Sequence, residues 1–179
     1  CGMGAGSSQL SAEQLIEIES RTHFTKKEVQ RLYKRFRKLD RLQKGVVSRV
    51  DFQLIPEFAG NPLAERVLAV LDTNNDDVVT FEEFITAMSI FHPRADPMDK
   101  LHFTFRLYDQ DDDGAVTPAE LFSILKTFVA SGFDDAQLQS VVDKLMEEFD
   151  TDGSGSLSFD EFSKLVTQTD LENKMTINL

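Results

Sequence analysis

Apolar residues recur along this chain at the spacing that places them on one face of an α-helix. Between Phe81 and Met88 apolar residues recur every three or four residues, and the same spacing is found between Leu121 and Phe128. Polar residues fill the positions between them. The pattern therefore predicts amphipathic helices that bury one face.

Polar residues in front of these stretches mark where helices begin. Ser or Thr followed three residues later by Glu precedes four of the predicted helices, and these pairs start at Thr25, Thr80, Thr117 and Ser158. In this arrangement the two side chains satisfy backbone N–H groups that the first helical turn leaves free. Asn61, which precedes a proline, is a fifth predicted start.

Between the predicted helices lie short loops that are rich in Asp. A helix, a 12-residue loop and a second helix recur four times, with loops at residues 40–51, 72–83, 109–120 and 150–161. This repeat is typical of the EF-hand, a calcium-binding helix-loop-helix. The sequence predicts an all-α protein with four helix-loop-helix units. We call the loops first to fourth in chain order.

The eighth position of every loop is apolar, and these residues are Val47, Val79, Val116 and Leu157. Apolar residues there let two loops pair through a short β bridge, so we expect two lobes of paired EF-hands. Prolines between the second and third loops resist helix continuation and predict the boundary. We predict a tail and short helix at 1–24, lobes at 25–92 and 99–168, a linker at 93–98 and a tail at 169–179.

Calcium prefers six to eight oxygen ligands, and an EF-hand supplies them from loop positions 1, 3, 5, 7, 9 and 12, with Gly at position 6. The last three loops each offer a complete set. The predicted ligands of the third loop are Asp109, Asp111, Asp113, the Ala115 carbonyl, Thr117 and Glu120. Those of the fourth loop are Asp150, Asp152, Ser154, the Ser156 carbonyl, Ser158 and Glu161. Those of the second loop are Asp72, Asn74, Asp76, the Val78 carbonyl, Thr80 and Glu83.

The second and first loops depart from this pattern. Asp77 stands where Gly is expected, so we predict weaker binding at the second loop. The first loop has Leu42 at position 3, Lys44 at position 5 and the short Asp51 at position 12. We expect it to be empty, which gives three Ca²⁺ ions per chain. Magnesium is the main alternative ion, but a bidentate Glu at position 12 favours calcium.

Charge is divided unevenly along the chain. The formal net charge of −12 disfavours binding to nucleic acid. Nine of the 19 basic residues nevertheless lie in one stretch: Lys26, Lys27, Arg31, Lys34, Arg35, Arg37, Lys38, Arg41 and Lys44. The ordinary interpretation is a solvated helix face. The alternative is contact with anionic lipid or with an acidic partner.

Several protein classes are disfavoured. No apolar run is long enough for a membrane span, and no secretory signal is recognisable, so we expect a cytoplasmic protein. The single Cys1 forms no internal disulfide. The three His residues fall in no catalytic or metal-binding spacing. We therefore predict a binding protein and not an enzyme, either a calcium sensor that exposes an apolar groove or a buffer that does not.

The beginning of the chain carries a candidate lipidation motif. We interpret Met3 as the natural start, with Cys1 and Gly2 added before it. Residues 3–8 then fit M-G-x-x-x-[ST], in which Gly4 receives a myristoyl chain after removal of Met. The alternative is a flexible Gly/Ser-rich tail. With acylation, the basic stretch would serve as a second signal for peripheral membrane binding.

Seven segments resemble the regulatory B subunits of calcineurin and, nearly as closely, the calcineurin B homologous proteins. They are RFRKLD at 35–40, NPL at 61–63, KLHFTFRLYD at 100–109, ELF at 120–122, QLQ at 137–139, VDK at 142–144 and KMTI at 174–177. The first branch implies a regulatory subunit that clamps an amphipathic helix of a serine/threonine phosphatase catalytic chain in an apolar groove spanning both lobes. The second implies a cofactor of a sodium/proton exchanger. Both families are N-myristoylated.

The resemblance also implies a second docking surface after the third hand. The matching residues are Phe128, Val129, Ala130, Ser131, Gly132 and Phe133, which differ from the usual Asn-Asn-Leu-Lys of calcineurin B. The degenerate first loop is closer to the homologous proteins. The nearly whole second loop and the short connection to the third hand favour the phosphatase regulatory chain, which is our principal prediction.

Overall fold

The computed structural model describes residues 10–54, 62–129 and 132–169. Within these ranges the chain forms nine helices and two short strands. In chain order the elements are α1 Ala12–Arg21, α2 Lys26–Leu39, β1 Val46–Ser48, α3 Arg49–Gln53, α4 Pro62–Leu71, β2 Val78–Thr80, α5 Phe81–Ile90, α6 Pro97–Tyr108, α7 Pro118–Val129, α8 Asp135–Phe149 and α9 Phe159–Thr169. The all-α class predicted from the sequence is confirmed.

The eighth loop positions pair as predicted. Strands β1 and β2 are antiparallel, with Val47 opposite Val79. Val116 and Leu157 form an isolated bridge with two N–H···O bonds of 2.8 Å. All four side chains are buried. Each bridge therefore ties two EF-hand loops together beside a hydrophobic core.

The described residues divide into two compact units, one up to Lys100 and the other from Leu101. In the first unit, Phe36 of α2 packs against Phe81 and Phe84 of α5, with ring centroids 5.4 and 5.5 Å apart. In the second unit, Phe162 of α9 packs against Phe105 and Tyr108 of α6 at 5.4 and 5.1 Å. The predicted lobe boundaries stay predictions.

The four predicted helix starts at Thr25, Thr80, Thr117 and Ser158 are formed by the hydrogen bonds that the sequence indicates, whereas the fifth, Asn61, lies outside the described residues. Thr25 N–H donates to Glu28 Oε2 over 2.8 Å, and Thr80 N–H donates to Glu83 Oε2 over 3.0 Å. Helix α7 begins at Pro118, where the missing N–H costs no hydrogen bond. In the last three loops the capping Glu occupies the final loop position. One Glu side chain there both starts a helix and closes a loop.

Candidate metal centre

The third loop folds around its first and last carboxylates. Asp109 Oδ1 accepts the N–H of Asp113 over 3.1 Å, and its Oδ2 accepts that of Gly114 over 3.0 Å. Glu120 Oε1 accepts from Gln110 N–H and Oε2 from Thr117 N–H, both over 2.8 Å. These bonds draw the two ends of the loop towards one centre.

Two further predicted ligands of this loop, Asp111 and Asp113, are held by backbone hydrogen bonds. Asp111 Oδ1 accepts from Asp113 N–H at 3.2 Å, and Asp113 Oδ1 accepts from Ala115 N–H at 2.9 Å. Carboxylate oxygens of Asp109, Asp111 and Glu120 all lie within 4.8 Å of one another. Three carboxylates at this separation form a strongly negative oxygen cluster.

The electrostatics of Asp109 reflect that crowding. Burial raises the pKa of the Asp109 carboxyl above its usual value, and repulsion from Asp113 and Glu120 adds to the effect. Hydrogen bonds from Gly114 and Asp113 act in the opposite direction but do not offset it. A divalent cation bound among these oxygens would remove the repulsion.

The fourth loop repeats the arrangement. Asp150 Oδ2 accepts from Gly155 N–H at 2.9 Å, and Glu161 Oε2 accepts from Ser158 N–H at 2.9 Å. Asp150, Asp152 and Glu161 again bring carboxylate oxygens within 4.8 Å of one another. The predicted ligands at positions 5 and 7 contact each other, because the Ser154 hydroxyl donates to the Ser156 carbonyl over 2.9 Å.

The second loop has the same kind of backbone bonds, and its predicted ligand set contains one carboxylate fewer than that of the third loop. Asp72 Oδ1 accepts from Asp76 N–H at 3.2 Å, and Asp76 Oδ1 accepts from Val78 N–H at 3.1 Å. Asn74 at position 3 contributes a neutral amide oxygen, which accepts from Asp76 N–H at 3.1 Å. Thr80 Oγ1 donates to Glu83 Oε2 at 3.0 Å. The donor set consists of oxygens, as calcium requires, but it carries less negative charge than that of the third loop.

Position 6 has a left-handed backbone in all four loops. The φ angle is +82° at Gly45, +87° at Gly114, +84° at Gly155 and +65° at Asp77. A residue with a Cβ atom is disfavoured in this region, at a cost on the order of 1 kcal/mol for Asp. Among the four residues at position 6, only Asp77 of the second loop is not glycine, so only this loop has a strained backbone there.

Relief of this strain should tighten calcium binding at the predicted site of the second loop. Asp77→Gly is expected to raise the affinity of that site about fivefold, because 1.4 kcal/mol corresponds to about tenfold. Calorimetric titration of calcium would measure the change. Asp77→Ala is the matched control, since it removes the same charge but keeps the strain. An equal gain in both variants would show that charge, and not the backbone, limits the site.

The first loop lacks oxygens at two ligand positions. Leu42 and Lys44 are both exposed to solvent at positions 3 and 5. Asp40 and Asp51 are buried, and each of their carboxylates accepts backbone N–H bonds. This loop has the EF-hand shape without the ligand set, so its residues do not fit a calcium ion.

Two features of the loops were not anticipated from the sequence. Position 4 also has positive φ in every loop, at Gln43, Asn75, Asp112 and Gly153. In addition, the N–H of position 2 donates to the carboxylate at position 12 in the last three loops. Both features recur at fixed positions of the 12-residue loop, so the loop numbering is the sequence signal that could have predicted them.

Some predicted sites lie outside the described residues. These are Gly4, the tail 170–179, and Ala130 and Ser131 of the predicted docking surface. Phe128 and Phe133, on either side of that gap, have 44% and 57% of their surface exposed. The docking surface stays a prediction.

Comparison with known proteins supports one family. Residues 98–167, which include the third and fourth loops, match the model of the EF-hand domain pair. The calcineurin B subunit of Naegleria gruberi is 48% identical over 177 residues, which cover 99% of this chain and 100% of that protein. The calcineurin B subunit of Candida glabrata is 43% identical, with 98% of each chain covered. The type 2 calcineurin B subunit of Dictyostelium discoideum is 36% identical, with 98% of this chain and 97% of that protein covered.

The chain belongs to the calcineurin B family. The resemblance predicted from seven short segments is therefore confirmed over nearly the whole length. The prediction of a regulatory chain that is not an enzyme is confirmed as well, because the family is that of a regulatory subunit and its EF-hand pair is a calcium-binding domain. Among the described residues, no helix has both the length and the apolar character needed to cross a membrane.

Proposed function

We propose that this calcineurin B family member is the calcium-binding regulatory subunit of a calcium-dependent serine/threonine protein phosphatase. It clamps an amphipathic helix of the catalytic chain. The observation that carries the proposal is full-length similarity to proteins named as calcineurin B subunits, combined with oxygen clusters in the loops.

The proposed calcium content is three ions, held by the second, third and fourth loops through the ligands given above. The third and fourth loops are supported by their clustered carboxylates. The second is supported by the same backbone bonding around Asp72 and Glu83. The first loop holds no ion, because Leu42 and Lys44 replace two ligands.

Exposed apolar side chains support the helix-binding part of the proposal. Val50 of α3 and Leu54 just after it are both 52% exposed, and they lie one helical turn apart. In the second unit, Phe128 of α7 and Val141 of α8 are also exposed. Apolar surfaces of this kind bind the apolar face of a partner helix.

The proposal is tested by mixing the purified protein with a purified calcineurin catalytic chain and measuring complex formation by size-exclusion chromatography. A complex is expected in calcium, and a weaker one in chelator. A cytoplasmic segment of a sodium/proton exchanger, tested in parallel, serves as the competing partner. Binding to the exchanger segment alone would replace the phosphatase proposal with the cofactor function.

A membrane contact is proposed on two grounds. Gly4 is a candidate for myristoylation, and α2 carries the exposed basic residues Lys27, Arg31, Lys34 and Lys38. Their spacing of three or four residues places them on one stripe, opposite the buried face of the same helix. Acyl chain and basic stripe together provide the two signals that stable membrane binding requires.

We expect a version of the protein that starts at Met3 to gain one myristoyl group when co-expressed with an N-myristoyltransferase. It should then bind anionic vesicles, and added salt should weaken the binding because each Lys or Arg near the surface contributes about 1 kcal/mol. Mass spectrometry and vesicle sedimentation measure the two effects. Gly4→Ala is the control, and a mass gain in that variant would contradict the assignment.

A further inference from the structure

Asp51 is a fully buried carboxylate in a loop that lacks the calcium ligand set. It is 0% exposed, and it occupies position 12, where the other three loops have Glu. Its Oδ1 accepts the N–H of Leu42 over 3.1 Å. Its Oδ2 accepts both the N–H and the hydroxyl of Ser48, over 2.9 and 2.6 Å. One side chain therefore joins the beginning of the first loop to strand β1.

Asp40 ties the middle of the same loop to its first position. Only 1% of its surface is exposed; Oδ1 accepts from Lys44 N–H at 2.8 Å and Oδ2 from Gly45 N–H at 2.7 Å. Among the described residues, no buried side-chain polar atom lacks a hydrogen-bond partner. The polar groups of Asp40 and Asp51 are thus satisfied by the loop itself.

The first loop closes without the repulsion that opposes closure in the third and fourth loops. Those loops each bring oxygens of three carboxylates within 4.8 Å of one another, and their mutual repulsion opposes closure unless a cation offsets it. The first loop contains only the carboxylates of Asp40 and Asp51, since positions 3 and 5 are Leu42 and Lys44. Its closed conformation therefore needs no cation to offset repulsion among ligand carboxylates.

Strand pairing connects this closed loop to the second calcium site. Ser48, which Asp51 holds, lies opposite Val78 in the β1–β2 register. Val78 is a proposed calcium ligand through its carbonyl. Val47 and Val79, the central pair of the same register, are 2% and 1% exposed, so the pair is fixed in the core. The path from the first loop to the second site is Asp51, Ser48 and Val78.

We propose that Asp51 is a positioning residue for the second calcium site, which it preorganises by closing the first loop without an ion. Preorganised ligands bind more tightly because less conformational entropy is lost on binding. The first hand thereby compensates in part for the strained Asp77 and the neutral Asn74. The inference rests on the proposed function, since it requires that the second loop bind calcium.

The test compares Asp51→Asn with Asp51→Glu in the full chain. Asn keeps the size of the side chain, but its amide group cannot accept the bonds now made at both oxygens. Glu is the matched control, because it forms the equivalent bonds in the other loops. Calcium is titrated while the backbone amide resonances of Asp77, Gly114 and Gly155 report the second, third and fourth sites separately.

Asp51→Asn is expected to weaken the second site roughly tenfold, at the lower end of the 10–100-fold range for residues that support metal ligands. The third and fourth sites should change less than about twofold. Asp51→Glu should retain the affinity. Unchanged affinity at the second site in Asp51→Asn would overturn the proposal, and so would an equal loss at all three sites.

A second measurement does not depend on calcium. In chelator, the amides of Val47 and Val79 should be protected from hydrogen exchange in the unmodified protein and less protected in Asp51→Asn. Ser48→Ala, which removes only the hydroxyl, provides a milder variant with an intermediate effect. Rapid exchange in the unmodified protein would overturn ion-free closure. If the amides of Val47 and Val79 are protected but the amide resonance of Asp77 does not change when calcium is added, the proposed second site is refuted.

Discussion

Replacing Glu120 by Gln is expected to leave the protein with two bound calcium ions, against the three that we propose for the unmodified chain. Glu120 supplies two charged oxygens at position 12 of the third loop, whereas Gln supplies one neutral oxygen. Substitution of a residue that only hydrogen-bonds to a metal ligand lowers metal affinity roughly 10–100-fold. Loss of the ligand itself should therefore lower calcium affinity by more than about 100-fold. Native mass spectrometry at micromolar calcium counts the ions directly.

The fold should survive this substitution. Glu120 also closes the capping box of α7, where the Thr117 N–H donates to its side chain over 2.8 Å. Gln serves in the same capping position. Asp112→Asn is the matched control, because it removes a charge from position 4 of the same loop, which is not a ligand. Three ions in Glu120→Gln, or two in Asp112→Asn, would contradict the ligand assignment.

The sequence predicts those parts of the fold that depend on neighbouring residues. A capping box needs only Thr80 and Glu83, and a loop bridge needs only an apolar residue at position 8, so both are recognisable from spacing. The sequence also predicts the short helix before Thr25. The structure places it at Ala12–Arg21, and its start is set by a capping box between Ser11 and Gln14.

The sequence does not predict the state of the first loop in full. Leu42 and Lys44 show that ligands are missing, but they do not reveal that Asp51 is buried and bonded to Ser48. Burial alone raises the pKa of the Asp51 carboxyl, yet hydrogen bonds from Ser48, Leu42 and Arg41 lower it below its usual value. That balance depends on three-dimensional packing, which residue spacing cannot specify.

Binding of the partner helix is the second large expected effect. Calcium should strengthen the complex by about 5–150-fold, the usual range of coupling between two sites. The physical reason is that, in calcium-sensing EF-hands, binding of the ion moves the helices that flank the occupied loops and so uncovers apolar surface. The Glu120→Gln variant, which lacks one ion, should show a smaller effect of calcium than the unmodified protein.

The most direct measurement is calorimetric titration of the protein with a synthetic peptide of the amphipathic helix from a calcineurin catalytic chain, in calcium and in chelator. The control peptide has the same composition, but its apolar residues no longer fall at i, i+3, i+4 and i+7. We predict one peptide per protein, tighter binding in calcium and no binding of the control. Absence of binding in calcium, or equal binding of both peptides, would contradict the proposed regulatory function.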